Sequence, residues 1–287
     1  MTPRRRALVL THRRPQQTAA AFDALAAAAR RAGATLVLDE AEAAKHGPAT
    51  REGFVVARAQ EAADGIDLCI VLGGDGTILA ALRRLAGTGV PVFAVNFGEV
   101  GFLATIEPDD VAEGLDRAFA GDFEVLSLPA IAVDGLDGGS TYAINDVAVH
   151  RKVGERVATL AYGIGAEMVA NVRCDGVVVA SPAGSTGYNL ANGGPVMAWG
   201  VEGYVVSFIA PHSITARPLV VAPGDTLSIH NMSVVPVEVS IDGRPASELE
   251  PWDAFTMRFV RDVACLAQAP GSSFYLRLRQ KFGRLAV

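Results

Sequence analysis

Residues 67–77 read Asp-Leu-Cys-Ile-Val-Leu-Gly-Gly-Asp-Gly-Thr, a short apolar run that ends in Gly73-Gly74-Asp75-Gly76-Thr77. Apolar side chains at every position from Leu68 to Leu72 suit a strand covered on both faces, as in a parallel sheet flanked by helices. The glycines permit backbone conformations and close approaches that larger residues forbid. A helix predicted over Ile78 to Leu85 adds free N–H groups and a positive dipole end. Strand, loop and helix together suit a phosphate, and ligands in open α/β sheets gather at strand carboxyl ends. The spacing matches neither G-x-x-x-x-G-K-[ST] nor G-x-G-x-x-G. Asp75 is the unusual member. A carboxylate beside a phosphate cradle repels the ligand unless it holds a metal or accepts a proton from an attacking hydroxyl. The plainer alternative is a tight turn whose aspartate caps the helix.

Outward from this loop, the first third of the chain alternates strand and helix patterns, the sequence form of a parallel sheet with helices on its faces. Leu8 to Leu10 and Leu36 to Leu38 read as strands. Between them, Gln17 to Ala32 carries Phe22, Leu25 and Ala29 at helical spacing, with Gly33 as the stop. Phe54 to Ala63 reads as a helix and Pro91 to Val95 as a strand leading into residues 96–103, NFGEVGFL. Pro108 to Phe119 reads as a helix opened by acidic residues. From about Phe123 the texture becomes short strands and turns. The expected strands are Val125 to Val133, Thr141 to His150, Ala158 to Gly163, Val177 to Ala180, Tyr204 to Ile209, Thr226 to Asn231, Val235 to Ile241 and Ala254 to Val260. The domains expected are an α/β domain over 1–122 and a β-rich domain over 123–265. An amphipathic segment, 266–287, is helical from Phe274 to Phe282 and returns to the first domain.

Two further stretches carry chemistry. Residues 174–189, CDGVVVASPAGSTGYN, end a strand in a small hydroxyl-rich loop with an aromatic face at Tyr188, suited to gripping a nucleoside. The alternative is a Pro-Gly turn whose Ser and Thr only cap a helix. Asn145-Asp146 follows an apolar strand, and an Asn carboxamide presents the donor and acceptor pair that reads an adenine edge. Asn-Asp is also an ordinary turn. His12, His46, His150, His212 and His230 are scattered without a helical pair, so solvated or core histidines are expected rather than a metal site or a triad. Trp199 and Trp252 are assigned to packing.

Half of the 287 residues are hydrophobic and 20% charged, which excludes a disordered or fibrous chain. The 25 basic residues against 31 acidic ones leave a net charge of −6, against nucleic acid or an anionic membrane as the main partner. Cys69, Cys174 and Cys265 are far apart and form no C-x-x-C, so neither a zinc site nor a disulfide framework is expected and a cytoplasmic location fits. Arg4-Arg5-Arg6 precedes an apolar stretch too short for a signal peptide and reads as the solvated start of an edge strand. No uncharged apolar run approaches the ~18 to 20 residues of a membrane helix.

The ordered set DLCIVLGGDGT, NFGEVGFL, Asn145-Asp146, DGVVVASPAGSTGYNLANGGP, PHSITARPLVV and Ile241-Asp242-Gly243 resembles the NAD kinase family over about Asp67 to Asp242. The glycine-aspartate motif alone is shared with lipid kinases, and phosphofructokinases have a close relative of it. The resemblance implies an α/β N-terminal domain with a Rossmann-like parallel sheet carrying the loop, and an all-β C-terminal domain of β-sandwich type. It implies phosphorylation of the 2′-hydroxyl of the adenosine ribose of NAD, with ATP or polyphosphate as donor and Mg²⁺ or another divalent cation accompanying ATP. Asp75 is then the base, with Gly73, Gly74, Gly76 and Thr77 in the phosphate-donor loop. NAD contacts are implied at Asn145, Asp146, Asp175, Ser185, Thr186, Gly187, Tyr188, Ala210 and Asp242. Asp175 comes from a neighbouring subunit, which implies a homodimer or homotetramer with shared NAD sites. Ala183 and Ala191 stand where the family often has a hydroxyl, Gly187 replaces Ala, and Cys174 replaces a frequent Gly. One lost neutral hydrogen bond costs about 1 kcal/mol. The rival readings are a lipid kinase of the diacylglycerol or sphingosine type and a protein that senses NAD or NADP without turnover.

Overall fold

The apolar run from Leu68 lies inside a parallel sheet. The computed structural model describes residues 5–46, 53–59, 61–98, 101–136 and 139–283, and the chain divides into two units, Met1–Ser127 with Ala264–Val287 and Leu128–Val263. In the first unit β1 (Arg6–Thr11), α1 (Ala19–Ala32), β2 (Thr35–Asp39), α2 (Glu40–Lys45), β3 (Phe54–Ala57), β4 (Leu68–Gly73), α3 (Asp75–Arg84), β5 (Pro91–Asn96) and α4 (Val111–Ala120) follow in order. The strands pair in parallel as β5-β4-β1-β2-β3, with Ala7 opposite Leu68 and Thr11 opposite Leu72. The chain order reverses between β1 and β4, so the carboxyl ends of these two strands flank the crevice where such sheets bind ligands. All six residues of β4 are buried, as its composition requires. Helix α1 stops at Gly33, whose φ of 65° is the left-handed stop read from the sequence.

Two expectations fail in this unit. Phe54 to Ala57 is a strand rather than the start of a helix. Its Phe-Val-Val core pairs with Leu36 to Asp39, and the backbone hydrogen bonds of an exposed sheet edge outweigh a weak helical spacing. Arg5 and Arg6 do not open an edge strand, because β1 is central. Arg5 Nη1 donates to the carbonyls of Phe119 (2.6 Å) and Ala118 (3.1 Å) at the carboxyl end of α4, where a cation is favoured. Arg4 lies outside the described residues.

The second unit begins within β6 (Glu124–Leu136) and continues through β7 (Gly139–Ala143), β8 (Asp146–Arg151), β9 (Ala158–Ile164), β10 (Glu167–Cys174), β11 (Gly176–Ala180), the short α5 (Tyr188–Ala191), β12 (Tyr204–Ile209), β13 (Leu219–Val221), β14 (Thr226–Asn231), β15 (Val237–Ile241), β16 (Arg244–Leu249) and the first part of β17 (Ala254–Gln268). One antiparallel layer runs β10-β9-β14-β17 and the other β13-β12-β11-β8-β15-β16. Between them Leu160, Tyr162, Leu227, Ile229, Phe255 and Met257 meet Val147, Val149, Val177, Val179, Val206 and Val239, the interior of a β-sandwich. The strand expected over Thr141 to His150 is broken at Ile144-Asn145. Strands β10, β13 and β16 were not expected from the sequence. All three lie at the edge of their layer, where exposure lets polar residues and Pro245 replace the alternating pattern. The end of β17 belongs to the first unit, where Cys265 and Leu266 pair in parallel with Pro91 and Val92, and α6 (Phe274–Phe282) follows over the expected residues.

Candidate functional site

At the carboxyl end of β4 the chain turns into a helix within two residues. Gly73 ends the strand, Gly74 is the N-cap of α3, and Asp75, Gly76 and Thr77 form its first turn. Thr77 N and Ile78 N donate back to the Gly74 carbonyl (2.9 and 3.1 Å). No side chain caps this helix, so the capping alternative for Asp75 fails. Its carboxylate instead accepts hydrogen bonds from Phe102 N (3.0 Å) and Leu103 N (3.3 Å), in the segment after β5. Gly101 is what allows the approach, since a Cβ there would lie 2.1 Å from Asp75 Oδ1. Asn96, at the end of β5, accepts from Gly98 N (3.1 Å) and donates to Glu107 (3.1 Å). Glu99 and Val100 of the NFGEVGFL motif lie outside the described residues. No sequence signal marked the Phe102 and Leu103 amides, because they belong to the backbone.

The second unit gathers most of the other expected residues through backbone contacts. Asp242, at a φ of 50°, accepts from Ile144 N (3.1 Å), Asn145 N (2.7 Å) and Asp146 N (3.2 Å). This bend breaks the strand between β7 and β8. Ser181 N donates to the Asn145 carbonyl (2.8 Å) and Ser181 Oγ to the Ile144 carbonyl (2.5 Å). Gly184 packs on the same peptide, where a Cβ would fall 2.1 Å from the Asn145 carbonyl oxygen. Asn145, Asp146, Asp242 and the loop after β11 therefore form one cluster. Within it the Asn145 side-chain oxygen is buried and has no hydrogen-bond partner, which leaves its acceptor capacity unused. Burial and the neighbouring Asp242 push Asp146 up to about 7.

The loop residues divide by task. Ser185 is fully buried, donating to the Pro182 carbonyl (2.8 Å) and accepting from Met197 N (2.9 Å), so its hydroxyl holds the loop together. Thr186 Oγ1 donates to the Ala183 carbonyl (3.4 Å), while Gly187 and Tyr188 are exposed. The Tyr188 ring stacks on His150 with centroids 5.6 Å apart, and burial together with Asp146 raises its hydroxyl pKa. His150 was read as an incidental histidine. Alternation along β8 places it on the same face as Asp146 and Ala148, opposite the core-facing Val147 and Val149, and that two-residue spacing was the available signal.

Asp175 and Ala210 lie at the His150 end of β8, since Gly176 pairs with His150 and Arg151 N donates to the Asp175 carbonyl (3.0 Å), so the Tyr188 ring stacked on His150 faces that end. Asp175 precedes β11 and Ser181 follows it, so the two are separated by roughly 20 Å of extended chain. Asp175 N donates to the Ile209 carbonyl (2.9 Å), next to Ala210, whose φ of 44° is a left-handed conformation. Arg151 Nε donates to Asp175 Oδ1 (2.6 Å). Among the described residues no group of three or more His, Cys, Asp or Glu is placed to hold a metal, and no helix is long and apolar enough to cross a membrane. No disulfide joins the three cysteines.

Comparison with known proteins bears on the family and the fold. Residues 14–123 match the model of the ATP-NAD kinase N-terminal domain and residues 144–262 that of the ATP-NAD kinase C-terminal domain. An NAD kinase from Symbiobacterium thermophilum is 40% identical over 222 residues, covering 75% of this chain and 78% of that protein. One from Heliobacterium modesticaldum is 37% identical over 227 residues, with the same coverage. Two solved structures share the fold. Yeast NADH kinase complexed with NADH superposes with a TM-score of 0.87 at 21% identity, covering 99% of this chain and 89% of that one. An Archaeoglobus fulgidus NAD kinase in complex with ATP gives 0.72 at 23% identity and 98% coverage of both chains.

Proposed function

The chain belongs to the NAD kinase family, and from that premise we propose how its own residues carry the reaction. It is a phosphotransferase that forms NADP by phosphorylating the 2′-hydroxyl of the adenosine ribose of NAD. Asp75 is the base. The 2′-oxygen attacks the terminal phosphorus of ATP, the bond to the bridging oxygen breaks, ADP leaves with the electron pair, and the hydroxyl proton passes to Asp75. A carboxylate is too weak a base to strip a sugar hydroxyl in advance, so the proton moves late, as the new bond forms. The observation that carries this reading is the hold on Asp75. Two backbone amides fix its carboxylate, and no other described residue donates a hydrogen bond to it. A carboxylate offers about four lone-pair sites, so acceptor capacity remains for the proton.

Gly73, Gly74, Gly76 and Thr77 form the loop that holds the donor phosphates at the N-terminus of α3, whose positive dipole end and free N–H groups suit an anion. Polyphosphate is the alternative donor, since it too presents phosphate oxygens to the loop. A divalent cation such as Mg²⁺, carried by the donor phosphates, would neutralise their charge when bound. Asn145 offers its unpartnered carboxamide oxygen to NAD, Asp146 and the Thr186-Gly187-Tyr188 face add contacts, and Ser185 and Asp242 act by holding these groups in place. Asp175 and Ala210 serve a neighbouring subunit's NAD in a homodimer or homotetramer, as the family resemblance implies. Three cysteines held as thiols support a cytoplasmic setting.

An assay of NADP formation from NAD, with ATP and with polyphosphate, tests the donor. NAD lacking the 2′-hydroxyl should bind and accept no phosphate, and NADP should compete with NAD. A chain that binds none of the three at millimolar concentration by calorimetry would overturn the reading.

A further inference from the structure

The segment that holds Asp75 is itself held from its other side. While Phe102 N and Leu103 N point at the Asp75 carboxylate, the carbonyls of Phe102 and Ala104 accept from Arg277 Nη1 of α6, the former at 3.2 Å. Arg277 Nη2 donates to Gln268 Oε1 (2.5 Å), at the end of β17. Gln268 is 5% exposed. Thr105 Oγ1 donates to the Ala267 carbonyl (2.9 Å), so residues 102–105 are fastened to the returning strand as well as to the helix. The Phe102 ring packs between Phe274 (6.1 Å) and Phe282 (5.9 Å), and the Lys281 ammonium lies 4.6 Å from its centroid. Burial holds the half-buried Arg277 guanidinium below its ordinary range, against the opposing pull of the Asp75 and Glu107 carboxylates.

We infer that Arg277 is a positioning residue for phosphoryl transfer, setting through the Phe102–Ala104 backbone the place of the Asp75 carboxylate. This rests on the reading of Asp75 as the base. A guanidinium suits the task because its fixed fork engages two carbonyls and a carboxamide at once, whereas an ammonium is a point charge. Only backbone lies between the fork and the carboxylate, and a carbonyl that shifts carries the next amide with it, since the peptide is planar. Arg277 touches no reacting group, so its loss lowers turnover by misplacing a base that is still present.

The test is a double-mutant cycle on the full chain with Arg277→Met and Asp75→Asn, reading kcat and the KM for NAD. Arg277→Met should lower kcat about 10- to 100-fold, the scale of a misplacement near 1 Å, with KM for NAD within about two-fold. Arg277→Lys should recover part of the loss. In the Asp75→Asn background the same substitution should cost nothing further, because no base remains to misplace. A merely structural arginine would slow both backgrounds equally, and such additivity would overturn the positioning role. So would full kcat in Arg277→Met beside an inactive Asp75→Asn. Near-normal turnover in Asp75→Asn would instead overturn the reading of Asp75 itself. Should Arg277→Met fail to fold, the cycle is read with Arg277→Lys, for which coupling supports the role and additivity ends it.

Discussion

Asp75 and Asp242 are both aspartates cradled by backbone amides, and the two cradles differ in what they leave over. Asp242 accepts from three consecutive amides, so its carboxylate is consumed in shaping the Ile144–Asp146 bend. Asp75 accepts from two amides of a separate segment, and the glycine at 101 keeps side chains away. The first arrangement makes a clamp and the second an aimed acceptor. A motif match does not distinguish them, because both follow from backbone geometry.

The largest expected effect breaks the comparison on the side of Asp75. Asp75→Asn should lower kcat by at least ~100-fold, the lower scale of general-base effects, with little change in NAD affinity or melting temperature. Near-normal turnover would make the two aspartates equivalent clamps.

The next effect concerns what Asp242 does to its neighbour. Asp146 is raised from an ordinary 3.8 to about 7, first by burial and then by Asp242. Between those values the folded chain holds a proton that the unfolded chain releases, so stability is highest at the acid end of this window and falls as pH rises through about 7. The slope is about 1.4 kcal/mol per pH unit at most. Urea unfolding at pH 5 and pH 8 should show Asp146→Asn gaining on the parent at pH 8, and parallel behaviour of the two proteins would contradict the shift.

Asp242→Asn keeps a residue that tolerates the left-handed φ but replaces one acceptor oxygen with an amide group. It should cost about 1–3 kcal/mol of stability, the penalty of orphaned buried donors, and weaken NAD binding through the displaced Asn145. An unfolding midpoint equal to that of the parent would deny the clamp. The smallest effect is expected from Tyr188→Ala. Its exposed ring, stacked on His150, should be worth about 1 kcal/mol, read as a several-fold rise in the KM for NAD. No rise would remove the ring from the binding face.

The elements easiest to read were those whose patterns answer to local rules. The DLCIVL run could be little other than a buried parallel strand, and Gly33 marked the end of α1. Phe54 to Ala57 escaped because a four-residue edge strand owes its state to a neighbour that sequence spacing does not reveal. The bend at Ile144-Asn145 escaped for the same reason, since the carboxylate that breaks the strand comes from residue 242. His150 was visible in principle, two and four residues along a strand from Ala148 and Asp146, once the end of that strand was known.

By itself the sequence determined the order of chemistry-bearing segments, the α/β beginning and β-rich continuation, and the residue types of the loop around Asp75. All of these depend on near neighbours in the chain, through side-chain periodicity and the conformational freedom of glycine. Only the tertiary structure decided that Asp75 is held by Phe102 and Leu103 instead of capping its own helix. It also decided that Asp242 shapes the bend carrying Asn145, that Tyr188 folds back to stack on His150 near Asp175, and that Arg277 grips the carbonyls behind the Asp75 clamp. Those outcomes rest on backbone N–H and C=O groups, which every residue but proline carries alike, so no choice of side chain announces which of them will meet.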